Sequence, residues 1–182
     1  MRVAILTVSD SAARGEQADL SGPLLHDLVA QVGGEVVRAG VVPDDSGAIA
    51  AWLRAVCDED AVDLVLTSGG TGLAPRDVTP EATKSVLERE APGIAEALRA
   101  AGLAKTPRAM LSRGVAGTRR RALIVNLSGS PKAVREQWEA LAPVLAHALD
   151  TVRGEGSHPE TDSARRSQSA EGIDSARGET DQ

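Results

Sequence analysis

Phenylalanine and tyrosine are missing from this 182-residue chain, tryptophan occurs twice, and one cysteine, Cys57, stands alone. Without aromatic bulk, a core has to be assembled from Ala, Val, Leu and Ile. A lone cysteine excludes an intramolecular disulfide and fits a reducing compartment. Long apolar runs are also lacking. After Arg2 the first is only six residues, Val3 to Val8, too short for the apolar segment of a signal peptide and far too short to span a bilayer. A soluble, cytoplasmic protein without a membrane partner is expected. Histidine is scarce: His26 and His147 fall on helical stretches and His158 in a polar tail, so neither a zinc centre nor a Ser-His-Asp triad is expected. The net charge of −6 comes largely from residues 154–182, which carry −4, leaving −2 for the body and no electrostatic case for a nucleic-acid partner.

What is present reads as alternating strands and helices. Buried strands are expected at 3–8 and around Leu64-Val65-Leu66, where apolar residues follow one another without polar alternation, and further strands at Glu35–Val42 and Ala122–Leu127. Between them lie helical patterns. Ser21-Gly22-Pro23 opens one, with Pro23 at its first position and a stripe of Leu25, Leu28, Val29 and Val32. The stretch from about Asp45 places Ile49, Trp52, Leu53, Val56 and Cys57 on one face, which makes Cys57 and Trp52 core residues rather than reactive ones. Thr79 reads as the N-cap of a helix that has Pro80 first and runs to about Glu90; a further helix covers 94–101 and stops at Gly102. Over 106–117 the pattern is weak, with Pro107 opening at most a short helix. The last helix starts at Pro131, buries Val134, Trp138, Leu141, Leu145, Ala148 and Val152, and should kink or break at Pro143.

This alternation predicts a single α/β domain over residues 1–153, a three-layer sandwich with a mostly parallel sheet and helices on both faces. Residues 154–182 contain one large aliphatic side chain, Ile173, and an Asp-Ser-Ala-Arg repeat at 162–165 and 174–177; they are expected to be a disordered acidic tail.

Ligands of open parallel sheets bind beyond the carboxyl ends of the strands. Four loops leave such ends: 9–19, 43–45, 68–77 and 128–131. All are rich in Gly, Ser, Thr or Asp. The third, Ser68-Gly69-Gly70-Thr71-Gly72 followed by Arg76-Asp77, offers uncovered backbone N–H groups beside a carboxylate. Asp10, Asp19, Asp44 and Asp77 would repel a phosphate unless a cation lay between, and Mg²⁺ held by one or two carboxylates plus substrate phosphates is the usual solution. The residues therefore point to binding or transfer of a phosphate-bearing nucleotide with Mg²⁺. Neither a Walker A loop nor a dinucleotide fingerprint is present. Arg119-Arg120-Arg121, at the amino end of its strand and thus at the opposite edge, is expected to be a solvated face.

The stretch SGGTGLAPRDVTPEAT, Ser68 to Thr83, resembles the GGTG…RDxTPxA signature of the MogA/MoaB family, the molybdopterin adenylyltransferases of molybdenum-cofactor biosynthesis. Ser9-Asp10 with Arg14-Gly15, Asp19 and Ser21-Gly22-Pro23 resembles the family's first loop, Val42-Pro43-Asp44 its second, and Asn126-Leu127-Ser128-Gly129-Ser130-Pro131-Lys132 its NLPGxPK segment. The likeness covers Arg2 to about Val152. It implies transfer of AMP from ATP to the terminal phosphate of molybdopterin, with release of pyrophosphate. It also implies Asp44 and Asp77 as catalytic carboxylates acting through Mg²⁺, a substrate cradle of Ser68, Gly69, Gly70, Thr71 and Gly72, and further contacts from Ser9, Asp10, Ser112, Arg113, Gly129 and Ser130. A homotrimer and a molybdenum-insertion enzyme as partner are implied as well. Other readings are a non-catalytic pterin-binding relative, the molybdenum-insertion enzyme itself, and the related domain of a nicotinamide-nucleotide amidase. Retention of both Asp44 and Asp77 argues against the first, and the run from Arg76 to Pro80 against the other two. Ser128 departs from the family's proline; it restores a backbone N–H and is expected to loosen the turn.

Overall fold

The computed structural model describes residues 1–59 and 62–155. Six strands form one mixed sheet: β1 (Arg2–Val8), β2 (Glu35–Val42), β3 (Leu64–Ser68), β4 (Arg89–Glu90), β5 (Ala116–Arg119) and β6 (Ala122–Leu127), in the spatial order β2-β1-β3-β6-β5-β4. The β2-β1-β3-β6 half is parallel, and β5 and β4 extend it antiparallel. β3 lies at its centre with all five residues buried, as its unbroken apolar run predicts.

Helices cover both faces. Side chains alternate along each strand, so neighbours in sequence serve opposite layers. Val3 and Ile5 pack with Leu25 and Val29 of α2 (Ser21–Gln31), Leu98 of α5 (Pro92–Leu103), and Val134, Trp138 and Leu141 of α6 (Pro131–Arg153). Ala4, Leu6 and Val8 pack with Ile49, Leu53 and Val56 of α3 (Ser46–Glu59) and Ala82 of α4 (Thr79–Lys84). A single turn, α1 (Asp10–Ala13), and a 3-10 turn (Pro107–Leu111) complete the described residues. The three-layer sandwich is as expected, with a core of aliphatic side chains.

Several local expectations are corrected. The first loop contains α1. Helix α2 begins at Ser21, two residues before Pro23, because Asp19 Oδ1 accepts from the Ser21 and Gly22 N–H groups and so caps it from outside. Val32 falls past its end and is exposed. In α4, Val78 is the cap and Thr79 is already helical; the helix stops at Lys84, and β4 occupies part of the stretch assigned to it. Pro92 opens α5 rather than breaking a helix. Helix α6 continues through Pro143, with Leu149 rather than Ala148 turned fully inward. Leu141 and Leu145, buried on either side of that proline, tie both halves to the sheet. Trp52 is half-buried, lying against Gly40 of β2 with the Arg38 guanidinium 5.9 Å from its ring centre.

The arginine run is also corrected in part. Arg119 closes β5, and Arg120, at φ 50°, and Arg121 form the two-residue turn into β6. Asp58 accepts from both Arg119 and Arg120, and Glu88 from the Arg120 N–H, so the run fastens this hairpin to α3; only Arg120 and Arg121 expose most of their side chains. Gly154 ends α6 in a left-handed conformation. The remainder of the expected tail, 156–182, lies outside the described residues. No described helix is long and apolar enough to cross a membrane.

Candidate active site

The four loops do converge on one edge. Parallel register brings Val8 level with Val42, Thr7 with Ser68, and Ser68 with Leu127, so everything following β1, β2, β3 and β6 emerges together. Gly69 lies so close to β1 that a Cβ there would sit 2.2 Å from Val8 O, and its φ of 103° excludes other residues independently. On its far side Gly129 packs against Gly69 Cα, 3.2 Å from where a Cβ would project. Two loops thus meet backbone to backbone, which only glycine permits.

Around this contact opens a cleft of about 220 Å³ whose walls include Ser9, Asp19, Ser21, Ser68, Gly69 and Gly129. Ser68 and Ser21 pin the floor: Ser68 Oγ donates to Ser128 O at 3.0 Å and Ser21 Oγ to Gly129 O at 2.9 Å. Ser9 and Ser130 each cap a helix, accepting from Ala12 N and Ala133 N. Asp19 takes the Thr7 hydroxyl at 2.7 Å in addition to its two backbone donors. Ser21 and Thr7 were not anticipated as lining residues, and hydropathy patterns carry no signal for them.

The four carboxylates divide into two kinds. Asp10 is neutralised by Arg76 and grips the second loop, accepting from Asp44 N at 3.1 Å. Asp19 is consumed by its cap. Asp44 and Asp77, in contrast, have no cationic partner among the described residues. Asp44 Oδ2 accepts only Asp10 N, at 3.0 Å, and Asp77 Oδ2 accepts Ala74 N, at 2.8 Å. Burial and, second, the charge of Asp77 push the Asp44 carboxyl above the usual carboxylate range. A cation shared by the two would relieve that repulsion, and the donors are all hard oxygens. Two carboxylates completed by substrate phosphate oxygens suit Mg²⁺; no cluster of three or more His, Cys, Asp or Glu side chains that could hold a metal occurs among the described residues.

Arg113 reaches the glycine loop from behind. Its N–H donates to Thr71 O at 2.8 Å and its Nε to Gly72 O at 2.6 Å, while its two terminal nitrogens bind Asp77 O and Glu81. The side chain therefore holds the cradle's shape. Ser112 lies beside a separate cleft of about 350 Å³, with Lys84, Glu90 and Arg99, and its Oγ accepts from Gly114 N. Beneath the cradle Asn126, buried, donates to the hydroxyls of Thr67 and Thr83 at 2.9 and 3.0 Å and accepts from Val115 N at 3.2 Å, joining β3, α4 and β6. Ser128 does not loosen its turn: the N–H that a proline would lack donates to buried Gln137 Oε1 at 2.8 Å.

The family model described as a probable molybdopterin binding domain matches residues 4–147. The molybdopterin adenylyltransferase of Helicobacter pylori strain J99 is 39% identical over 85% of this chain and 89% of its own length. A molybdenum cofactor biosynthesis bifunctional protein of Chlorobaculum tepidum is 37% identical over 85% of this chain and 49% of its own. Among solved structures, the molybdopterin biosynthesis enzyme MoaB of Thermus thermophilus superposes with a TM-score of 0.80 at 54% identity, covering 85% of this chain and 98% of that one. Fold and sequence likeness agree, and the chain belongs to the MogA/MoaB family.

Proposed function

We propose that this chain is a molybdopterin adenylyltransferase that transfers AMP from Mg-ATP to the terminal phosphate of molybdopterin. The observation that carries the reading is the pair Asp44 and Asp77, free of cationic partners and repelling each other beside a glycine cradle. Such a pair is poorly suited to binding anions alone and well suited to binding them through a divalent cation.

A phosphate monoester is mostly doubly ionised at neutral pH, so its oxygen needs no general base. It attacks the α-phosphorus of ATP; a new P–O bond forms as the bond to the β-phosphate oxygen breaks, and pyrophosphate leaves with the electron pair. The work left to the protein is alignment and charge neutralisation. Asp44 and Asp77 would hold Mg²⁺, which would supply neutralisation of the phosphate charge. Backbone N–H groups of Gly70 to Gly72 take phosphate oxygens, the Gly69 N–H being held by Leu127 O, and the cleft between Ser9, Ser68 and Gly129 takes the remaining polar substrate groups. Arg113 and Asn126 keep the cradle in shape. The reading includes a cytoplasmic homotrimer and a molybdenum-insertion enzyme as partner. The exposed Leu103, Met110 and Leu111, close in sequence on α5 and the 3-10 turn, support self-association, and the longer bifunctional relative supports the partner.

The test is incubation of pure protein with molybdopterin and Mg-ATP, with mass spectrometry for adenylylated molybdopterin and a coupled assay for pyrophosphate. Product from wild type and losses of at least about 100-fold in Asp44→Asn and Asp77→Asn are expected, the scale of a misaligned transfer. Molybdopterin binding without product, unchanged in both variants, would replace this reading with that of a non-catalytic pterin-binding protein.

A further inference from the structure

One buried hydroxyl beneath the cradle has no work. Thr67 and Thr83 accept from Asn126, and Ser68 donates to Ser128 O. Thr79, wholly buried, has an Oγ1 without any hydrogen-bond partner, the single such side-chain atom among the described residues. A buried hydroxyl left unsatisfied is destabilising, and native chains rarely retain one without use.

Its position supplies the use. The point where a side chain on Gly70 would begin lies 2.4 Å from Thr79 Oγ1 and 3.0 Å from Asp44 Oδ1. The two oxygens flank a single gap that is kept open by the absence of a side chain at Gly70, and Gly70 O accepts the Thr79 N–H at 3.1 Å, tying the loop to the helix start at this place. Asp44 Oδ2 is anchored on Asp10 N, whereas Oδ1 faces the gap. The terminal torsion of an aspartate is soft, so Oδ1 can turn toward Thr79 while Oδ2 stays on its donor.

We propose that Thr79 is a positioning residue whose hydroxyl donates to Asp44 across the Gly70 gap and fixes the orientation of that carboxylate in the working enzyme. The inference rests on the adenylyltransferase reading for its catalytic consequence, but its geometry can be tested without it. Asp44 is then held from both sides, by a backbone N–H on one oxygen and a threonine hydroxyl on the other. Glycine at position 70 is required for the passage between them as well as for its φ of 62°.

The test compares Thr79→Val, which keeps the shape and loses the hydroxyl, with Thr79→Ser, which keeps the hydroxyl. Thr79→Val is expected to melt at or above the wild-type temperature yet lose about 10- to 100-fold in kcat, with KM for ATP unchanged. Thr79→Ser is expected to stay within about threefold of wild type. Equal kcat in Thr79→Val and wild type overturns the proposal. So do equal losses in both variants, which would mean that keeping the hydroxyl does not rescue and that packing at the site matters instead, and a rise in KM for ATP alone, which would mean a direct ligand contact. The second readout needs no activity: wild-type crystals grown in MgCl₂ are expected to show Thr79 Oγ1 within about 3.2 Å of an Asp44 carboxylate oxygen, and Thr79→Val crystals a rotated Asp44. Absence of that bond in wild type overturns the proposal even in an enzyme that makes product. Absence of product together with presence of the bond overturns the adenylyltransferase reading alone.

Discussion

Replacing Arg113 separates a residue that shapes the cradle from one that grips substrate. Its guanidinium donates to two loop carbonyls, Gly72 O and Asp77 O, and pairs with Glu81. Hydrogen bonds from charged donors contribute about 1.5–3 kcal/mol each. With the side chain 35% exposed, the low end applies, giving about 3 kcal/mol for the two. The Glu81 carboxylate is mostly exposed and adds at most about 1 kcal/mol. Arg113→Ala should therefore cost about 3–4 kcal/mol, a fall of roughly 6–15 °C in melting temperature for a domain of this size. Arg113→Lys retains the charge but has a single donor centre for three acceptors, and should recover less than half of the loss. Because Asp77 is carried by the same loop, kcat should fall with stability in both variants while the KM values change little. Calorimetry and steady-state kinetics on the two variants suffice. Unchanged melting temperatures combined with a raised KM for either substrate would refute the anchoring argument and make Arg113 a substrate clamp.

Asp44→Asn is expected to raise the melting temperature at pH 7 while abolishing transfer. The folded state favours the protonated form of Asp44, so its favourable contribution is complete below the unfolded value of 3.8 and is lost as pH rises through the elevated folded value; the advantage of the variant should shrink on acidification, seen in melts from pH 3 to 8. Burial pushes the Cys57 thiol up to about 12, so iodoacetamide should leave the native protein unlabelled for hours and label it rapidly in guanidinium, as mass spectrometry would show. Ser128→Pro removes the donor to Gln137 and should destabilise by about 1–3 kcal/mol, and Ser128→Pro with Gln137→Leu should recover most of that, measured by urea denaturation.

The parallel half of the sheet was legible because β1, β3 and β6 are buried on both faces and therefore carry unbroken apolar runs. β4 and β5 carried no such sign. β5 reads Ala-Gly-Thr-Arg, and its Gly117 is dictated by a neighbour, since a Cβ there would lie 2.3 Å from Arg89 O. A strand that exists because another backbone presses on it leaves little trace in its own composition. At the site, glycines and carboxylates could be located, but their division of labour could not. Asp10, Asp19, Asp44 and Asp77 look equivalent in sequence. The Arg76 pairing and the N-terminus of α2 occupy the first two, leaving the other two free. The same holds for the Arg119 run, whose function depends on Asp58, roughly sixty residues away in the chain.

The central position of β3 also governs when the site can come into being during synthesis. Its partners, β1 and β6, are each about sixty residues distant in sequence, and both pairings are parallel. Loop closures of that span are slow and cannot begin until the far strand exists. A nascent chain that has passed Asp77 already contains both carboxylates and the glycine loop, yet Gly69 still lacks the Leu127 carbonyl to which its N–H will bond. The cradle is therefore among the last parts to order, after β6 is made, and until then the edge of β3 that β6 will cover stands open. Ribosome-stalled chains ending before residue 122 should bind chaperones, and those extended past residue 153 should release them.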